Sequence, residues 1–148
     1  MNEIPLIDLH MAAAHFPIAL LITGFFFEIS GAFFRKDDLR TTAYWMHLSG
    51  ILCGFVTISL GFLGNPFRED TGFIGKLFVD YGTPMANKMV IHQWVGVSSI
   101  TLFVLLGFWR VFKKNDFKRA EYPVFLFLLL LGVVFIGATG YLGHEVME

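Results

Sequence analysis

Cysteine and charge are what this chain has least of. A single cysteine, Cys53, among 148 residues closes no internal disulfide, and without a CxxCH run no heme can be attached covalently. Charged residues make up only 16% of the chain, too few to clothe a separate soluble domain. The formal net charge is −1 at pH 7 and no basic run is long, which argues against a nucleic-acid partner. The opening stretch, MNEIPLIDLH, is acidic where a signal peptide is basic, and the apolar run behind it is too long for an h-region. The first helix is therefore expected to be retained.

Apolar mass is what the chain has in quantity. Hydrophobic residues reach 55%, aromatics 17%, and there are 18 phenylalanines; mean hydropathy is +0.65. These values describe an integral membrane protein whose residues 1–148 form one membrane domain. Four apolar segments, at approximately 11–34, 42–63, 89–112 and 122–142, each approach the ~20 residues that span a bilayer. The expected fold class is all-α: a four-helix transmembrane bundle in up-down-up-down order, with the first and third helices facing each other diagonally. No internal repeat is apparent by eye.

The linkers set the orientation. Arg35–Arg40 reads as a tight turn and Phe112–Arg119 as a short basic loop. The outer linker, 64–88, holds Pro66, Pro84 and the run FIGKLFVDY, which suits a surface amphipathic helix. Eight of the 11 Lys and Arg residues fall at the face carrying the first and third linkers. By the positive-inside rule that face is cytoplasmic, and both termini lie on the periplasmic side.

Histidines carry the chemistry. Counting from the cytoplasmic ends, taken as Phe34 and Phe112, places His15 and His92 level, roughly 28–30 Å up at ~1.5 Å per residue. His10 and His144 sit a turn or more higher. Level imidazoles on diagonal helices suit the two axial positions of iron in a planar macrocycle, so His15 and His92 are the expected metal ligands and His10 and His144 their neighbours. Gly96, one turn below His92, leaves room beside such a ring. Used together, the four histidines would instead suit copper or zinc, and a histidine at a membrane interface also serves simply as a hydrogen-bonding group.

A second polar pair is expected at the other end. Glu28 lies seven residues before Arg35, and His47 seven after Arg40, so the two share a level across the first turn. A carboxylate in hydrocarbon needs a cation or a proton, and His47 is the nearest candidate, either as a structural hydrogen bond or as an inner-leaflet proton or quinone-headgroup site. Pro17 and Pro123 are read as lying in the first turns of their helices. Tyr44, Trp45, Trp94, Trp109, Tyr122 and Tyr141 are read as interfacial anchors.

The order of LH-x4-HFPIALL, HQWVGV and TGYLGHEV resembles a widespread, largely uncharacterised family of small bacterial four-helix inner-membrane proteins with an H-x4-HFPIALL signature, itself similar to four-helix b-type membrane cytochromes. The resemblance covers nearly the whole chain. Met11 stands where the family's first motif often has proline, Tyr141 where the last has histidine, and His144 near one of its glycines. His10, His15 and His92 are the family's histidines by position. The resemblance implies a multi-pass location in the bacterial inner membrane, and c-type cytochrome or other respiratory-complex subunits as partners. With the histidine pattern, it sets the expectation of a heme b protein in electron transfer at the periplasmic face, more an electron-transfer or accessory subunit than an independent enzyme. A non-catalytic scaffold for a redox assembly and a copper- or zinc-handling protein are the alternatives.

Overall fold

The computed structural model describes residues 5–64, 84–113 and 117–147, so the FIGKLFVDY segment lies outside the described residues. Four helices follow in order: α1 (Leu6–Phe34), α2 (Asp37–Gly64), α3 (Pro84–Lys113) and α4 (Glu121–Met147). All four are long and apolar enough to cross a membrane. Each outruns its apolar segment at one or both ends. Hydropathy marks the ~30 Å hydrocarbon slab, whereas the 29 residues of α1 extend about 43 Å and carry the helix through the polar interface. Pro17 therefore lies well inside α1 and is buried, not in its first turn, while Pro123 does fall in the first turn of α4.

The turn between α1 and α2 is shorter than the sequence suggests. Arg35 adopts a left-handed conformation (φ 54°, ψ 42°), and the Lys36 N–H donates to the Gly31 carbonyl at 2.9 Å. This closes α1 in two residues. Asp37 and Asp38 already occupy the first turn of α2, where their charge complements the helix dipole.

α1 packs most extensively on α2, and α3 on α4; the α2/α3 and α1/α4 seams are lighter. Small residues permit the tight pairings. A Cβ on Gly50 would stand 2.7 Å from Leu21, and one on Gly132 3.0 Å from Phe103. Leu21, Phe103, Phe125 and Leu129 fill the middle of the bundle at no more than 1% exposure each.

These two contacts belong to a repeat. The α1–α2 hairpin and the α3–α4 hairpin carry the same residues in the same roles at an offset of 82 positions, the separation of Glu28 from Arg110. Gly50 and Gly132 match, as do Thr57 and Thr139, Gly61 and Gly143, and His10 and His92, so both second helices read G-x6-T-x3-G. The internal repeat missed by eye is thus present as a pseudo-twofold relation between hairpins. Equivalent residues that touch each other must lie at the axis; Arg40 stacks on Tyr122 there, 5.0 Å from guanidinium carbon to ring centre, and two pairs that include α1 join it: Glu28 with Arg110 at 2.6 Å, and His10 with His92 at 6.2 Å between ring centroids. They are 18 residues apart along α1, about 27 Å, near opposite ends of the bundle.

Candidate functional site

At the histidine end the four helices part around a cavity of about 560 Å³, within the ~300–1,000 Å³ range of cofactor-sized pockets. His10, His15, His92 and His144 all line it, as does Gly96, so the expected gathering of four histidines on three helices is present. The pairing within the group differs from the expected one. The rings brought together are those of His10 and His92, at 6.2 Å with their planes at 90°. His15 is exposed, and its Nδ1 donates to the Met11 carbonyl of its own helix at 3.0 Å.

The misplacement has a physical cause. Glu28 meets Arg110, so α1 and α3 are in register at an offset of 82, whereas setting Phe34 level with Phe112 puts Glu28 opposite Leu106. Taking Phe34 and Phe112 as level shifted the two helices by about 6 Å, enough to exchange His10 for His15.

Each central imidazole is held in the same way. His10 Nδ1 donates to the Thr57 carbonyl at 2.8 Å, and His92 Nδ1 donates to the Thr139 carbonyl at 3.0 Å. A carbonyl only accepts, so the proton of each neutral ring sits on Nδ1 and the lone pair on Nε2. The threonine hydroxyls turn back to their own helices, to Cys53 and Phe135. Glycine keeps the space beside each ring: a Cβ on Gly61 would lie 2.9 Å from His10 Cε1, and one on Gly143 3.0 Å from His92 Cε1. A Cβ on Gly96 would meet Thr139 Cγ2 at 3.1 Å. Thr57, Thr139, Gly61 and Gly143 are site residues that composition and depth do not reveal; the repeated G-x6-T-x3-G spacing is the signal that finds them.

Among the described residues no group of three or more His, Cys, Asp and Glu side chains is arranged to hold a metal ion, which gives the four-histidine copper or zinc arrangement no support. What the site offers is two imidazoles whose ring centroids stand 6.2 Å apart, each tied through Nδ1 to a helix carbonyl. At the rim, Lys88 donates to Glu145 at 2.9 Å and Tyr141 to the same carboxylate at 3.2 Å.

The opposite end is organised around Glu28, which is fully buried. Its oxygens receive Arg110 Nη1 at 2.6 Å, the Tyr122 hydroxyl at 2.9 Å and Arg40 Nε at 3.5 Å. Arg110 also donates to the Arg40 carbonyl at 2.7 Å. One residue from each helix enters this knot, and Arg40 and Tyr122 are themselves equivalent under the 82-residue offset. His47 is not among the partners of Glu28. It is buried against Gly24 and Phe103, with no hydrogen-bond partner for Nε2 among the described residues. Depth alone gives the level of Glu28 and points to His47, but the cation that meets it is Arg110, a residue at the end of α3 and not in the basic loop. Tyr122 and Trp109 likewise face inward, Trp109 against Phe117 and Phe125, whereas Trp45 and Tyr141 remain exposed.

Four helices of spanning length around a histidine-lined cavity define a multi-pass membrane protein. The chain belongs to the family described as "Predicted membrane protein (DUF2231)", whose family model matches residues 6–147. No curated protein and no solved structure matches it.

Proposed function

We propose that the chain holds one heme b in the histidine cavity, with Nε2 of His10 and Nε2 of His92 as axial ligands. The observation that carries this reading is the separation of the two rings. Metal–imidazole bonds of ~2.0–2.1 Å, with about 1.2 Å more from each nitrogen to its ring centre, would put two imidazoles that share one metal about 6.4–6.6 Å apart; the rings stand at 6.2 Å. Perpendicular planes are compatible, because each ring turns independently about its own metal–nitrogen bond. The cavity volume and the glycine-lined flanks suit a flat ring between α1 and α3.

The bound iron would supply a one-electron couple. Around it, the chain's own groups have defined work. The carbonyls of Thr57 and Thr139 hold each imidazole in the coordinating tautomer and raise its basicity. The apolar walls exclude water and so set the dielectric around the couple. Two protein ligands leave no open coordination position, which fits electron transfer better than catalysis on a substrate. We place this work in the bacterial inner membrane with the histidine end periplasmic, where a c-type cytochrome or another respiratory subunit would exchange the electron. Basic residues at the opposite end and the family resemblance support that placement. A quinone is a further candidate partner.

The test is an optical spectrum of protein purified in detergent after expression with ample heme. A six-coordinate low-spin spectrum is expected, lost in His10→Ala and in His92→Ala and retained in His15→Ala. Loss in His15→Ala with retention in His10→Ala would restore the ligand pair expected from depth alone. A colourless wild type that also fails to take up added heme would end the heme reading and leave the scaffold role.

A further inference from the structure

The cavity wall repeats itself. Apart from Pro17, every residue lining it has its counterpart, at the 82-residue offset, also in the lining. His10 answers His92, Thr57 answers Thr139, and Gly61 answers Gly143. A ligand seated on the axis therefore meets nearly the same surroundings when turned by half a revolution. For a symmetric ligand this is immaterial. Heme b is not symmetric: its two carboxylates lie on one edge.

The repeat fails in polarity at three places: Met11 against Gln93, His15 against Val97, and His144 against Phe62. Both ionisable exceptions fall beside one seam. Ile18 of α1 comes within 3.1 Å of a Cβ built on Gly140 of α4, and from that contact His15 is one turn along α1 and His144 one turn along α4. The two helices are antiparallel, so both steps lead toward the histidine end. His15 and His144 thus flank the cavity at the α1/α4 seam, while their counterparts Val97 and Phe62 make the α2/α3 seam apolar apart from the neutral amide of Gln93. Both histidines are exposed as well as lining. In the imidazolium form His15 donates through Nε2 while Nδ1 keeps its bond to Met11.

We propose that His15 and His144 are positioning residues that fix which way round the asymmetric ring sits, turning its carboxylate edge to the α1/α4 side. This rests on the heme reading above, with His10 and His92 as the ligands. On that side a carboxylate can accept charge-assisted hydrogen bonds from the protonated form of the His15 and His144 rings, and among the described lining residues of the other side only the amide of Gln93 can donate. One such bond is enough to favour one seating by about tenfold or more.

The experiment counts the two seatings directly, as sets of hyperfine-shifted heme methyl resonances in the oxidised full-length protein. Wild type should show one dominant set, by about tenfold or more. The double variant His15→Val with His144→Phe, which copies the opposite wall, should show two sets within about threefold, Gln93 being the residual bias. Adding Val97→His and Phe62→His to that variant moves the pair across the axis and should make the formerly minor set dominant. Soret circular dichroism should follow the same order and serves where a variant yields too little protein. Comparable sets in loaded wild type, or an unchanged dominant set in both variants, would overturn the positioning role alone. A wild type that takes no heme would overturn the ligand reading and this inference with it.

Discussion

An imidazole that donates through Nδ1 to a helix carbonyl has only Nε2 left to offer, and His10 and His92 are both in that position. What holds them there is partly the lack of a side chain. Gly61→Ala would place a methyl 2.9 Å from His10 Cε1 and Nδ1, closer than the ring can tolerate without breaking its bond to Thr57. Disturbing a ligand's outer partner costs about 10–100-fold in affinity, so heme titration of Gly61→Ala should show a weakening of that order. An unchanged affinity would mean that the ring need not stay where it is. The residues with chemistry were legible in the sequence as residue types at one end of the chain's helices. Which two of them meet was not, because that depends on a one-turn register between α1 and α3, and hydropathy locates a helix end only to within a few residues. Glu28 and His47 show the same limit, since equal depth does not say which neighbour a side chain faces.

Helix α1 supplies the clearest cases at the scale of elements. Its C-terminus is closed by Arg35 in a left-handed conformation (φ 54°), which costs an L-residue ~1–2 kcal/mol. Arg35→Gly should therefore raise stability by about 1 kcal/mol in detergent unfolding; a loss would indicate that the arginine side chain contributes more than its backbone strains. Glu28 ties α1 to the other three helices through Arg40, Arg110 and Tyr122. Breaking a buried pair by removing one partner costs ~3–5 kcal/mol. Glu28→Leu should incur at least that, since it leaves two guanidinium groups facing each other. Arg110→Leu should cost less, because Arg40 still answers the carboxylate. If thermal unfolding ranks them the other way, the carboxylate is not the centre of the knot. Four helices of spanning length could be read from apolar runs, while their true ends could not, since Leu6–Met11 and Asp37–Thr42 continue the helices with residues that no hydrocarbon scale selects.

Taken whole, the molecule is two hairpins that resemble each other around one axis. If all four helices span, Leu6 and Met147 lie on one side, and the basic loops predict which side. Reporter fusions at either end should both register as periplasmic, and opposite reports from the two ends would contradict the four-span fold. The repeat escaped inspection of the sequence because few residues carry it: four glycines, two threonines and two histidines are spread over helices whose remaining positions need only be apolar. At the axis, though, the hairpins differ in sign, glutamate in one and arginine in the other. Two second hairpins from neighbouring chains would press guanidinium on guanidinium, whereas in the first hairpin Arg40 already stands beside Glu28 at 3.5 Å. The contact that joins the two unlike halves thus turns away a second copy of the α3–α4 half.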